Sequence, residues 1–164
     1  MNTLFGGHLA CDLPDGALDA AKVCIVPDNQ EVFSHSTCDQ NLIFDLLEFS
    51  QNTEQLSPIV YQLKEIVGHD EFNILTEEIV PPSEHLIPQA TSVYYLKARI
   101  HNPTVVVIHM ALFRLECFST DILITLNDRT GGTSLQVDGI PPWNDLQFKT
   151  IVNTFQILNS SLFN

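Results

Sequence analysis

A chain of 164 residues that is 45% hydrophobic and contains ten phenylalanines has the composition of a packed globule, so intrinsic disorder is excluded and a single domain over residues 1–164 is predicted. Its formal net charge of −13, with only seven Lys and Arg residues, argues against binding to nucleic acid or to anionic membranes. Since no apolar run reaches the ~18 residues of a membrane span and the first residues do not read as a signal peptide, a cytoplasmic or nuclear protein is expected.

The negative charge is concentrated in the first half of the chain. Residues 1–84 hold fifteen acidic and two basic residues, whereas residues 85–164 hold five of each. This distribution favours a basic protein partner, attracted by long-range electrostatic steering. The simpler alternative is an acidic surface that only keeps the protein soluble.

The first elements are predicted from turn residues and from short alternating patterns. Residues 6–14 are predicted to contain a short strand, and residues 19–23 one helical turn. The sequence Val26-Pro27-Asp28-Asn29 is typical of a turn, and the alternation in residues 31–35 predicts a strand.

A helix is then predicted from Thr37 to about residue 50. Thr37 followed three residues later by Gln40 is the pattern of a capping box. Helical periodicity would place Asp45 and Glu48 one turn apart on a polar stripe, with leucines facing the core. The predicted stripe consists of Asn41, Asp45, Glu48 and Asn52.

A second helix is predicted over residues 57–68, since Pro58 suits a first helical turn and Gly68 a helix end. Strands are predicted at residues 73–80, 92–101, 104–115 and 121–127, followed by a surface loop at 129–134 and an amphipathic helix within residues 143–158. Short links between the late strands favour hairpins. The predicted fold class is α+β, with a mainly antiparallel sheet of about six strands flanked by helices on both faces.

The sequence contains no motif for catalysis, nucleotide binding or metal binding. Two glycine clusters, at residues 5–8 and 130–134, lack the Gly-Lys-Ser/Thr of a P-loop, and the six histidines lack zinc-site spacing. The four scattered cysteines are predicted to be reduced thiols in or near the core. No cofactor and no metal are expected. Asp45 and Glu48 leave open a small hydrolase with an acid/base pair, although such chemistry requires a desolvated carboxylate, which an exposed stripe does not supply.

Three sequence blocks carry a family resemblance, supported by residues 111–115 and 120–127. The blocks are Leu4-Phe5-Gly6-Gly7, Val26-Pro27-Asp28-Asn29-Gln30-Glu31-Val32-Phe33 and Leu42-Ile43-Phe44-Asp45-Leu46-Leu47-Glu48. They resemble the Ran guanine nucleotide release factor family, small Mog-type proteins that bind the nuclear-transport GTPase Ran. The resemblance implies a PsbP-like α/β/α sandwich, in which helices flank an antiparallel sheet.

The resemblance also implies a function. By this resemblance, the chain is expected to bind Ran, to promote nucleotide release and to support nuclear protein import, with no catalytic chemistry of its own. It is expected to be a monomer in the nucleus and cytoplasm that binds neither nucleic acid nor membrane. The alternative is an acidic adaptor that binds basic partners without affecting nucleotide exchange.

The site residues follow from the same resemblance. The family's Asp and Glu that are associated with Ran binding match Asp45 and Glu48, with Asn41 on the same predicted stripe. Phe44 stands where a smaller aliphatic residue is expected, so it is either an anchor for the partner or a residue that alters affinity. The adjoining surface motif matches Pro27, Asp28, Asn29, Gln30 and Glu31.

Overall fold

A seven-stranded sheet, antiparallel throughout, forms the centre of the molecule. The computed structural model describes residues 1–51, 55–131 and 139–164, except for the side chain of Asn102. The spatial order of the strands is β3-β4-β5-β9-β8-β7-β6. In chain order they are β3 (Ala17–Asp19), β4 (Gln30–His35), β5 (Gln40–Glu48), β6 (Glu71–Ile79), β7 (Ser92–Asn102), β8 (Thr104–Leu115) and β9 (Thr120–Asp128).

A small three-stranded sheet joins the two ends of the chain. It consists of β1 (Asn2–Leu4), β2 (Leu9–Cys11) and β10 (Gln156–Ile157), with β2 in the middle. The backbone N–H groups of Leu158 and Asn159 both donate to the carbonyl of His8. This sheet therefore fixes the N-terminal segment against the end of the chain.

Helix α1 (Pro58–Val67) covers one face of the large sheet. The Ser57 side chain accepts a hydrogen bond from the Val60 N–H and caps the helix, and Gly68 ends it with a φ of 59°, which favours glycine. Its apolar side buries Ile59, Leu63 and Val67 against β7, β8 and β9.

Helix α2 (Asp145–Thr154) covers the opposite face. It begins with a capping box, in which Asn144 and Gln147 each accept a hydrogen bond from the other's backbone N–H, both at 3.0 Å. Phe148, Ile151 and Val152 pack into the larger of two apolar clusters. The predicted fold class is thus confirmed, with seven strands in the large sheet and a helix on each face. Among the described residues, no helix is long and apolar enough to cross a membrane.

The helix predicted from Thr37 to residue 50 is wrong, because residues 40–48 form β5. The supposed cap residues have other roles. The Thr37 N–H donates to Nδ1 of His35 at 3.0 Å in the turn after β4. The Gln40 side chain donates to the Trp143 carbonyl at 2.9 Å and accepts from the Trp143 N–H at 2.7 Å. Gln40 therefore anchors the segment that leads into α2.

Two of the four cysteines do not lie in the core. All four cysteines are free, but Cys24 and Cys117 are exposed, so the prediction that all lie in or near the core is wrong for these two. Burial raises the pKa of Cys11 to about 12. The loop predicted at residues 129–134 lies partly outside the described residues, and Asn52 lies wholly outside them.

Replacing Phe44 by alanine should destabilise the fold strongly. Phe44 is fully buried, and its ring centroid lies 6.0 Å from that of Phe33 and 6.1 Å from that of Phe155. We expect Phe44→Ala to lower the free energy of unfolding by about 3–5 kcal/mol, measured by urea denaturation. Glu48→Ala, at an exposed position of the same strand, should change it by no more than about 0.5 kcal/mol. Equal effects of the two substitutions would contradict the assignment of β5.

Candidate functional site

The two sequence blocks with the strongest family resemblance meet at one end of the β4–β5 hairpin. The Gln30 N–H donates to the Pro27 carbonyl at 3.0 Å and closes a tight turn. The backbone carbonyl of Asn29 accepts a hydrogen bond from the Leu46 N–H at 2.9 Å. The side-chain amide of Asn29 donates to the Leu46 carbonyl at 3.3 Å. The turn is therefore fixed beside the second half of β5, with Pro27 and Asp28 exposed.

Asp45 lies opposite Gln30 in the strand register. The Gln30 side-chain amide donates to Oδ1 of Asp45 at 2.5 Å. Burial raises the pKa of the Asp45 carboxyl, and the hydrogen bond from Gln30 offsets part of this shift. Within the described part of the chain, Asp45 has no ion-pair partner. A basic group from another molecule would therefore stabilise a carboxylate whose charge is incompletely compensated.

Glu31 is directed towards the N-terminal segment. Its Oε1 accepts a hydrogen bond from the Phe5 N–H. Burial, together with the nearby charge of Asp19, raises the pKa of Glu31, and the Phe5 N–H acts in the opposite direction. Glu31 thus connects the Phe-Gly-Gly block to the turn.

Asp45 and Glu48 do not share one stripe, and that prediction is wrong. Successive side chains of a strand point to opposite faces, and residues 45 and 48 are an odd number of positions apart. Asp45 is on the face of Gln30, whereas Glu48 is exposed on the other face, where β5 ends beside Thr120. The two carboxylates still lie at the same end of the sheet, about 10 Å apart along the strand.

Two other predicted site residues are placed elsewhere. Phe44 is fully buried, so the first alternative, an anchor for the partner, is wrong, whereas an effect of Phe44 on affinity stays a prediction. A helix would have placed it beside the polar stripe, but strand alternation turns it into the core. Asn41 lies four residues from Asp45, about 13 Å along the strand. Its side-chain oxygen accepts a hydrogen bond from the Asn127 amide at 2.8 Å.

Sequence reasoning missed a buried ion pair that positions the end of β5. Nε of Arg114 donates to Oδ1 of Asp121 at 2.8 Å, and both side chains are buried. The Arg114 guanidinium also donates to the Ser50 carbonyl and lies 4.1 Å from the centre of the Phe49 ring. One signal was available for Arg114, which is the single Lys or Arg in the mostly apolar strand β8. Arg114 holds the backbone that immediately follows Glu48.

A cleft of about 250 Å³ lies beside the turn. Three acidic residues, Asp19, Asp28 and Glu31, line it together with Phe5, Val26 and Pro27. In the described residues there is no cluster of His, Cys, Asp or Glu that could hold a metal ion. The arrangement is suited to receiving basic groups from a protein surface.

Comparison with known proteins gives a consistent result. The family described as "Ran-interacting Mog1 protein" matches residues 2–129, a range that contains both sequence blocks. A protein of Danio rerio named "Ran guanine nucleotide release factor" is 30% identical over 98% of this chain and 97% of its own length. A protein of the same name from Homo sapiens is 32% identical over 98% of this chain and 94% of its own.

Solved structures support the fold. The crystal structure of the Saccharomyces cerevisiae Ran-binding protein Mog1p covers 99% of this chain with a TM-score of 0.72 and 22% sequence identity.

A further sequence relative, a "Nuclear import protein MOG1" of the same yeast, is 30% identical over 76% of this chain and 63% of its own length.

Replacing Asp45 by asparagine should make the protein more stable at neutral pH. Burial raises the pKa of Asp45, so its carboxyl group binds a proton more tightly in the folded protein than in the unfolded chain. The folded state therefore loses stability as the pH rises from the ordinary aspartate pKa to the raised one. Asparagine keeps an oxygen for Gln30 but carries no charge. Urea denaturation should show a gain for Asp45→Asn at about pH 7 that vanishes below the ordinary aspartate pKa of about 3.9. A gain independent of pH would contradict this account.

Proposed function

The chain belongs to the Ran-interacting Mog1 family, as its motifs predicted, and we propose that it binds the small GTPase Ran and promotes the release of guanine nucleotide in support of nuclear protein import. The observation that carries the proposal is the family match over residues 2–129. The yeast relative's name, "Nuclear import protein MOG1", supports the role in import and a location in the nucleus and cytoplasm.

The proposed contact surface is the acidic end of the sheet, which we define as Asp28, Asp45 and Glu48. These carboxylates lie at the end of the β4–β5 hairpin and, among the described residues, form no ion pairs. The turn of Pro27, Asn29 and Gln30 carries Asp28 and is hydrogen-bonded to Asp45 and to the backbone of Leu46. Lys or Arg side chains of Ran would pair with them without first breaking an internal salt bridge.

The proposed activity requires no catalytic group in this chain. A protein that binds nucleotide-free Ran more tightly than loaded Ran must, by thermodynamic linkage, weaken the binding of nucleotide by the same factor. We propose a regulator that acts as a monomer and requires neither a cofactor nor nucleic acid. Carboxylates suit this role because they compete for the basic groups of the GTPase or disturb its Mg²⁺.

An acidic adaptor is the second candidate. It is favoured by the fifteen acidic residues within positions 1–84, a charge sufficient to attract basic partners of many kinds. An adaptor would bind Ran in every nucleotide state with similar affinity and would leave the rate of nucleotide release unchanged.

Charge reversal at the acidic end should abolish the function, and because Asp45 is half-buried the melting temperature of each variant is measured alongside binding. We expect Asp45→Lys with Glu48→Lys to cost about 2–5 kcal/mol of Ran binding energy, because each introduced lysine faces a basic partner group. The matched control is Glu77→Lys with Glu78→Lys. It makes the same change in net charge at exposed positions on β6, four strands from β5 and thus about 19 Å away.

Binding is measured by calorimetry with Ran in its GTP, GDP and nucleotide-free forms, and release by the loss of a fluorescent nucleotide. The control variant should keep most of the affinity and the release activity. Normal binding by the Asp45/Glu48 variant would move the site elsewhere. Binding by the wild-type chain with no change in nucleotide release would favour the adaptor.

A further inference from the structure

An exposed apolar segment precedes the acidic turn. Val23 is 88% exposed, Ile25 is 100% exposed, and Leu18, a few residues earlier, is 57% exposed. Single exposed apolar residues are ordinary on protein surfaces, but a group of large ones so close together marks a candidate contact surface. We call Val23 and Ile25 the apolar segment.

The backbone around this segment is held by several hydrogen bonds. The Asp19 side chain accepts a bond from the Ala21 N–H at 2.9 Å and begins a 3-10 turn, Ala20–Lys22. The N–H groups of Val23 and Cys24 then donate to the Ala20 carbonyl at 3.1 and 3.0 Å. The outward placement of Val23 therefore follows from a fixed turn.

Two clefts flank this turn. Leu18 and Val23 line one cleft of about 480 Å³, together with Phe33. Asp19 lines both this cleft and the one beside the acidic turn. Ile25 lies three residues before Asp28 in the chain, so the apolar segment leads directly into the acidic turn.

The surrounding charge indicates what kind of molecule fits. Asp19, Asp28 and Glu31 line the two clefts, and among the described residues Lys22 is the one basic residue that lines either of them. A second copy of this chain would bring carboxylates against carboxylates. A basic protein surface would instead find an apolar centre within an acidic border, which is the usual anatomy of a protein interface.

We propose that Val23 and Ile25 form the apolar contact of the same GTPase interface. This inference rests on the proposed function. The two side chains pack against an apolar patch of Ran, and the neighbouring carboxylates pair with basic side chains at its border. The charges set the rate and orientation of encounter, whereas apolar burial supplies affinity that salt does not screen.

The test is the binding of Ran by the variant Val23→Ser, Ile25→Ser. Burying two apolar side chains of this size is worth at least about tenfold in affinity, so a loss of about that size is expected at both low and high salt. The melting temperature should not change, because neither side chain is buried. Leu146→Ser is the matched control, since Leu146 is 73% exposed on α2 and lines neither cleft.

Each outcome has a distinct meaning. A loss of Ran binding in the double variant with normal binding by Leu146→Ser supports the inference. Equal binding by the double variant and the wild-type chain overturns the inference and leaves the proposed function intact. Failure of the wild-type chain to bind Ran overturns the proposed function, and this inference with it.

Discussion

The antiparallel pairing of β5 with β4 on one side and β9 on the other is the constraint on which the rest of the structure depends. It fixes the face of every side chain between Gln40 and Glu48, because a strand alternates strictly. Phe44 is turned into the core, and Asp45 is placed opposite Gln30. A slip of one residue would bury the carboxylate and expose the phenylalanine, so core packing and the proposed site are set by the same register.

Hydrogen bonds and a buried ion pair fix the backbone at the proposed site. Asn29 accepts a hydrogen bond from the Leu46 N–H and donates one to the Leu46 carbonyl. Arg114 pairs with the buried Asp121 and donates to the backbone just after Glu48. Breaking a buried ion pair is costly because the remaining charge loses its partner. The half-buried Asp45 and the exposed Glu48 are therefore held on a strand end whose backbone is fixed, which reduces the entropy lost when a partner binds.

Much of the fold was predictable because its signals are local. Ser57, Pro58 and Gly68 mark the ends of α1, and the β-branched run of β8 marks a central strand. The helix prediction for residues 40–48 is wrong because their apolar residues fit a helical and an alternating pattern equally well. The capping-box pattern at Thr37 added to the helix signal, although Thr37 caps no helix. The deciding interaction is pairing with β9, in which Leu42 faces Leu126 far along the chain, and no local pattern reports it. For the proposed site, the family resemblance predicted Asp45, Glu48 and the Pro27 turn, whereas the burial of Phe44 and the contacts of Arg114 depend on the pairing of strands in the sheet.

We propose that Ran binds at the end of the β4–β5 hairpin. The most direct measurement is an amide NMR titration of the isotopically labelled chain with unlabelled Ran. We expect the perturbed amide signals to belong mainly to residues 23–31 and 45–48, while those of α1 and β6 keep their positions. Perturbations concentrated on α1 or β6, with residues 23–31 and 45–48 unaffected, would contradict it.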